Sequence, residues 1–549
     1  MRMHTRLFIL FLHILLFCSS CHHPSGNIYE CDSLQINFFP ASPEVADKYL
    51  ITNDQRIVFS KNGSDHFELK AYKDGNITDI LSGNENLFNP FQSEEEISAL
   101  QDFEGDEAFI PLNVNLRDIL AGQAVKSIFT LPSKSLVIEM KDEKVLFLYD
   151  PALNNLKTIM TGFGKINGLA AHDNCIVISS DNNLDLYDFN SGRLFPLAEE
   201  LHGEKLNPFL SGNILFFVNN DVTEYYSVYS ADISNTFEIK PAEIFRRPHD
   251  IRMPKVKGDY LYYVEIINSE YLLKRTNLST RESDMLISEG VVYNFDFYND
   301  TLISFIYSDL NTPKSLCLYN TLKRSSLNIS GTSVTHNIGA SFKQSSGAVS
   351  GAWYLVDTLK PVKGIILYIH PGFHSDFSPR WDNLLMNLCE NGYGILGPNY
   401  PGSCGFGKSY TGLSEEDAVR DLIKWKEYIQ QEFKDKPVYC LSASSGNMLM
   451  ERLLTDNYRG ILAAASLFGV AGSDYDYKCK IPSLYILGEN DPVVNYNAQY
   501  SRLASMQGGN KLKIISYPDE GHWFRKKKNS GDAIGEILRF FCCRQADSL

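Results

Sequence analysis

The chain has 549 residues, 44% of them hydrophobic, and a formal net charge of -15. That length is more than one core accommodates, so two or more domains are expected. The acidic balance, relieved only by the short run Lys526-Lys527-Lys528, argues against nucleic acid as a partner and suits a soluble body.

The N-terminus differs from the rest. Arg2 and Arg6 precede the apolar run Leu7 to Phe17, and Cys18-Ser19-Ser20-Cys21 follows. A charged start, a short apolar stretch and small residues at a cleavage point read as an export signal, too short to span a bilayer. The end of this segment resembles a bacterial lipoprotein signal, with Cys21 as the lipidated residue and Cys18 where that pattern prefers an aliphatic. The expectation is a signal over 1–21, a linker over 22–35, and an exported protein of a bacterial cell envelope, periplasmic or surface-exposed, held to the membrane by lipid on Cys21. An ordinary secretory signal cut nearby is the alternative. Beyond Cys18 and Cys21, nine cysteines are scattered from Cys31 to Cys543 without metal-like pairing, so neither a metal site nor a specific disulfide is expected.

Residues 36–340 hold short apolar runs separated by Asn, Asp, Gly and Ser, the pattern of strands and turns. A strand ending near Tyr recurs in Leu146-Phe147-Leu148-Tyr149, Leu184-Asp185-Leu186-Tyr187 and Leu316-Cys317-Leu318-Tyr319, with looser copies ending at Tyr72, Tyr229 and Thr276 and a weak one near Asn113-Val114-Asn115. Successive copies lie 35 to 47 residues apart, the length of a four-stranded blade. The spacing predicts an all-β propeller of about seven blades, with the Tyr strands as inner or third strands.

Residues 341–549 change texture. Strands are predicted at Gly364 to Ile369, Tyr393 to Leu396, Val438 to Leu441, Leu462 to Phe468, Leu484 to Leu487 and Leu512 to Ser516. Helices are predicted over Pro379 to Glu390, Glu415 to Phe433, after Ser444, and over Ile534 to Phe541. Strands alternating with helices imply a parallel sheet covered on both faces. Ser444, Asp491 and His522 follow three of these strands, where such sheets place their sites. Their chain order, Ser then Asp then His, is that of α/β-hydrolases. A serine hydroxyl needs an imidazole to take its proton, and the imidazole needs a carboxylate to fix its tautomer. Gly446 leaves room for a tight turn after the strand, while Ser442 stands where Gly-x-Ser-x-Gly has its first glycine. The backbone N–H of Ser445 and one from His370-Pro371-Gly372-Phe373 are the candidate oxyanion donors. Pro371 has none to give, which leaves Gly372 or Phe373.

His370-Pro371-Gly372-Phe373, Asn399-Tyr400-Pro401-Gly402-Ser403-Cys404-Gly405-Phe406-Gly407, Leu487-Gly488-Glu489-Asn490-Asp491 and Tyr517-Pro518-Asp519-Glu520-Gly521-His522 together resemble the catalytic domain of the prolyl oligopeptidase family of serine peptidases. The family places a propeller before this domain. The resemblance implies Ser444, Asp491 and His522 as triad, and Gly372 and Ser445 as oxyanion donors, with His370 where some members use a Tyr hydroxyl. It also implies a serine peptidase that hydrolyses short peptides through an acyl-enzyme, with access gated by the propeller and no cofactor. Ser442 and Asn447 replace glycines of the family pattern, Pro401 replaces an Arg, and the 47 residues from Ser444 to Asp491 are fewer than usual. Specificity for proline does not follow from the resemblance. A carboxylesterase-type acyl hydrolase with the same triad, and a non-catalytic envelope binding protein, are the alternatives. Oligomeric state is left open.

Overall fold

The computed structural model of the protein describes residues 44–546, apart from 53, 63–66, 82–85, 94–95, 103–108, 121–122, 132, 134, 142–143, 173, 235–238, 332, 349, 473–476 and 507–510. The expected signal over 1–21, Cys21 and the linker over 22–35 lie outside the described residues.

Seven consecutive groups of antiparallel strands run from Val45 to Asn328: 45–81, 86–111, 125–161, 166–197, 205–245, 251–285 and 291–328. Each is a blade, with four described strands in all but the second, which has three. First strands contact each other between blades 1 and 2, 2 and 3, 4 and 5, 5 and 6, and 7 and 1. Blade 1 closes on blade 7 by packing, through a cluster that joins Val45, Ile57 and Phe59 to Ile306, Leu316 and Leu318. Blade 1 is built wholly from its own consecutive strands, so closure depends on this apolar contact and on bonds such as Tyr49 Oη to the Ser304 carbonyl at 3.0 Å.

The recurring strands ending at Tyr72, Tyr149, Tyr187, Tyr229, Thr276 and Tyr319 are the third strands of blades 1 and 3 to 7. The weak copy near Asn113 is different. Asn113 caps a helix over Val114–Ile119, its side chain accepting from Leu116 N–H. A short polar side chain that can satisfy a free helix N–H favours the cap over the strand.

The C-terminal domain is an eight-stranded sheet flanked by helices. Its strands are β1 (Ile338–Gln344), β2 (Gly351–Asp357), β3 (Gly364–Ile369), β4 (Tyr393–Pro398), β5 (Val438–Ala443), β6 (Ala463–Leu467), β7 (Ser483–Gly488) and β8 (Leu512–Tyr517), in the spatial order 1-2-4-3-5-6-7-8. The expected domain boundary at 340/341 falls inside β1, whose residues pair with β2 throughout. The sheet is also not wholly parallel, because β2 runs antiparallel to β1 and β4 while the remaining pairs are parallel. Strand β1 sits at the edge with most of its residues only half-buried, so it lacks the continuous buried run that marks a central parallel strand.

Helices α1 (Asn383–Glu390) and α5 (Lys527–Ala546) cover one face through Leu385, Leu388, Ile537 and Phe541. On the other face lie α2 (Glu415–Glu432), α3 (Gly446–Asn457) and α4 (Tyr496–Ser505), packed through Leu422, Trp425, Leu449, Leu453 and Leu503. Alternate residues of β3 serve the two cores: Ile366 and Tyr368 face α1 and α5, and Ile365, Leu367 and Ile369 face α2 and α3. The expectation of buried central strands holds at β3, β5 and β7, where every residue is buried.

The two domains meet through turns between the second and third strands of blades 5, 6 and 7. Lys408 Nζ donates to the carbonyls of Asn220 and Asp221 at 3.0 and 2.8 Å. Ser409 donates to Glu224 through both N–H and hydroxyl at 2.8 Å. Trp353 Nε1 donates to the Asn268 carbonyl at 2.8 Å, and Trp381 N–H to Ser308 Oγ at 3.3 Å. One face of the propeller is thereby fixed over the loops that follow β3 and β4.

Candidate active site

Ser444 stands between β5 and α3 with φ +48. A non-glycine residue in this left-handed region is strained by about 1–2 kcal/mol, and surrounding contacts hold it. Ser444 N–H donates to the Leu467 carbonyl at 3.0 Å, and its own carbonyl accepts from Val470 and Asn447 N–H at 3.0 Å each. Two residues on, a Cβ at Gly446 would lie 2.4 Å from the Ile369 carbonyl oxygen and 2.7 Å from that of His370. Only glycine lets α3 start this close to the end of β3.

The structure brings the three predicted residues together. Ser444 Oγ is 2.8 Å from His522 Nε2, and His522 Nδ1 is 2.8 Å from Asp491 Oδ2. The other oxygen of Asp491 accepts N–H bonds from Val493 and Val494 at 2.8 Å each. With one oxygen occupied by the chain, the second is aimed at the imidazole. Both side chains of the Asp491–His522 pair are almost completely enclosed. The ring of Phe468, itself at φ +39, lies 5.1 Å from that of His522. Such an arrangement can take a proton from the Ser444 hydroxyl and stabilise the imidazolium that results.

The loop that ends at His522 is set by two contacts. A Cβ at Gly488 would meet the Gly521 and Glu520 carbonyl oxygens at 2.3 and 2.5 Å, so the end of β7 and the His522 loop approach as closely as backbones can. Glu520 is buried. Its carboxylate accepts Arg525 N–H at 2.9 Å, Lys526 N–H at 3.1 Å and Asn529 Nδ2 at 3.0 Å, which folds the chain back after His522.

The three expected oxyanion donors are placed differently from one another. Ser445 N–H has no acceptor among the described residues and starts α3 beside the Ser444 hydroxyl. Gly372, at φ +80, donates its N–H to Ser445 Oγ at 2.7 Å, so this donor is engaged and the next N–H along the loop is that of Phe373. His370 does not stand ready as a side-chain donor. Its ring stacks on Tyr400 at 4.2 Å, Nε2 is 2.9 Å from Ser403 Oγ, and Nδ1 is 3.1 Å from the Pro371 carbonyl. Burial lowers its pKa to about 4. A neutral imidazole has a single N–H, and both nitrogens already face partners. His370 therefore braces the oxyanion loop against the loop that follows β4.

Ser442 and Asn447, the two departures around the elbow, are both fully buried. Among the described residues, Ser442 Oγ has no hydrogen-bond partner, and neither does the hydroxyl of Ser466, its register neighbour on β6. Asn447 is a strut that sequence reading did not anticipate. Its Nδ2 donates to the Val470 carbonyl at 2.8 Å and to Glu451 Oε1 at 3.0 Å. Glu451, wholly buried, also accepts from Tyr485 Oη at 2.9 Å and from both terminal nitrogens of Arg502 at 3.1 and 2.7 Å. The Asn-x-x-x-Glu spacing on one helix face was visible in the sequence, but nothing there marked Tyr485 and Arg502 as its partners.

Residues 472–545, which include Asp491 and His522, match the prolyl oligopeptidase family. No curated protein sequence matches the chain. Among solved structures, the chain is similar to a prolyl endopeptidase at 11% identity with TM-score 0.74, covering 91% of this chain and 90% of that one. It is similar to a puromycin hydrolase at 12% identity with TM-score 0.73, covering 92% and 95%. Oligopeptidase B from Leishmania major is similar at 12% identity with TM-score 0.71, covering 92% and 87%. The segment that carries Asp491 and His522 thus matches the prolyl oligopeptidase family of serine peptidases, and the whole chain has the propeller-plus-hydrolase fold of these solved structures.

Proposed function

We propose that the protein is a serine peptidase that hydrolyses short peptides. Ser444 Oγ attacks the scissile carbonyl as His522 Nε2 takes its proton, and Asp491 holds His522 through Nδ1. The N–H groups of Ser445 and Phe373 receive the developing oxyanion. His522 then returns the proton to the leaving amine, and the acyl group stays on Ser444 Oγ until a water molecule, deprotonated by His522, releases the acid. The propeller, fixed over the β3 and β4 loops, admits small or unfolded chains and turns away folded ones. The observation that carries this reading is the unbroken chain Ser444 Oγ, His522, Asp491, with 2.8 Å at each step.

A fluorophosphonate probe is expected to label Ser444 in the folded protein, and Ser444→Ala to abolish both labelling and peptide cleavage. A folded protein that the probe reaches and leaves unlabelled overturns the mechanism. Peptide amides and p-nitrophenyl esters assayed side by side separate a peptidase from an acyl hydrolase confined to esters.

A further inference from the structure

A cavity of about 220 Å3 lies between the propeller and the hydrolase domain. Met253 and Tyr271 of blade 6 and Tyr293 of blade 7 form one side, and Ser375, Asp376 and Arg380 of the loop after β3 form the other. Nothing in the proposed proton transfers uses these residues.

Arg380 is the unusual member. It is half-buried, and its guanidinium makes no hydrogen bond and no salt bridge among the described residues. The ring of Tyr293, 5.8 Å away, is its one aromatic contact and is no substitute for acceptors facing five N–H groups. A guanidinium partly withdrawn from water normally finds a carboxylate or carbonyl. The carboxyls nearby are committed or weakened. Asp382 caps α1 by accepting Leu385 N–H at 3.1 Å. Asp250 accepts Tyr226 N–H at 2.9 Å. Asp376 shares the cavity wall; burial pushes it up to about 6 while the charge of Arg380 pulls it down, and no hydrogen bond or ion pair joins the two among the described residues. A second cation, Arg252, lies against the Tyr226 ring at 3.9 Å, with Nη1 buried and lacking an acceptor. Arg380 thus has no acceptor, and Arg252 has one nitrogen without an acceptor, among the described residues.

The cavity is also close to the nucleophile along the chain. His374 and Ser375 line it, two and three residues after Gly372, whose N–H is bonded to Ser445 Oγ. At no more than about 3.5 Å per residue, a peptide engaged at Ser444 reaches this wall within its first few residues.

We propose that the cavity is a carboxylate subsite for the peptide substrate, with Arg380 receiving the carboxylate through paired N–H donors. This rests on the peptidase reading of Ser444. The carboxylate is either the C-terminus of a short peptide or an Asp or Glu side chain within it.

The test uses the immobilised full chain carrying Ser444→Ala, which holds peptide without cleaving it. It is exposed to pooled N-acetylated tripeptides made both as free acids and as carboxamides, and the retained species are counted by mass spectrometry. Free acids are expected to be retained at least about tenfold over amides. If the source is instead a side chain, amidated tripeptides with Asp or Glu will be retained over those with Asn or Gln. Adding Arg380→Met removes the preference, and Arg380→Lys keeps part of it. Retention that ignores both charge contrasts overturns the proposal without any variant, as does a preference that survives Arg380→Met. The peptidase reading fails separately, if the unmodified chain retains these peptides but neither cleaves them nor reacts with fluorophosphonate.

Discussion

Single residues around Ser444 explain how an elbow that departs from the glycine pattern still closes. Ser442 fits because its side chain lies in the core beside Ser466, away from the Ser444–His522 contact, at the cost of a buried hydroxyl without a partner. Ser442→Ala is accordingly expected to keep full activity and to raise stability by about 1 kcal/mol, read from denaturant unfolding. His370 makes a second, pH-dependent contribution. Its pKa is about 4 when folded, below the ordinary value of 6.5, because burial disfavours the charged ring. Between those two values the unfolded chain binds more protons than the folded one, so this contribution is complete above pH 6.5 and is lost as pH falls towards 4. The loss amounts to about 3 kcal/mol at most. His370→Gln should flatten the stability profile between pH 6.5 and 4, measured as unfolding midpoints across that range. Residue types and order made the triad legible in the sequence. The engagement of His370 by Tyr400 and Ser403, thirty and thirty-three residues away, was not, since no local pattern encodes that pairing.

Among elements, α3 does the most to hold the site, because it links the nucleophile to β7 and α4 on its own face of the sheet. Glu451 on α3 joins Asn447, Tyr485 of β7 and Arg502 of α4, and Asn447 in turn holds the Val470 carbonyl whose N–H is bonded to Ser444. Removing one partner of a buried ion pair leaves the other uncompensated. Glu451→Ala should therefore destabilise the protein by about 3–5 kcal/mol in equilibrium unfolding. Glu451→Gln, which keeps the shape and part of the hydrogen bonding, is expected to be milder. Helical period and apolar runs placed α2 and the six parallel strands, β3 to β8, to within a few residues. They missed α4, whose buried residues include only Leu503 as a large apolar side chain. They also missed the early start of α5, because the charged run Lys526-Lys527-Lys528 carries no apolar period, and the Glu520 carboxylate supplies the bonds that turn the chain into the helix.

At the scale of the molecule, the propeller and hydrolase domains are fixed to one another by polar bonds from a few turns, with Glu224 receiving two donors from Ser409. If this contact sets access to Ser444, Glu224→Ala will loosen the interface. Cleavage of longer peptides should then rise relative to short ones, while fluorophosphonate labelling of Ser444 is unchanged. An equal length profile in the variant and the parent chain would rule out gating through this contact. The expectation that lipid on Cys21 anchors the chain stands as a proposal of its own. Cys21→Ala is expected to move the protein from the membrane fraction to the soluble envelope fraction.

The sequence alone determined the order of the two domains, the repeat that makes the blades, and the three residues proposed for acyl transfer. Each of these is written in local spacing: 35 to 47 residues for a blade, a strand end for each site residue, a glycine where backbones touch. Only the tertiary structure decided which oxyanion donors are open, how Asn447 substitutes for a glycine, and that Arg380 faces a cavity with no acceptor among the described residues. Those outcomes depend on side chains brought together from distant strands and from the other domain, and burial then sets which of their hydrogen bonds must be satisfied.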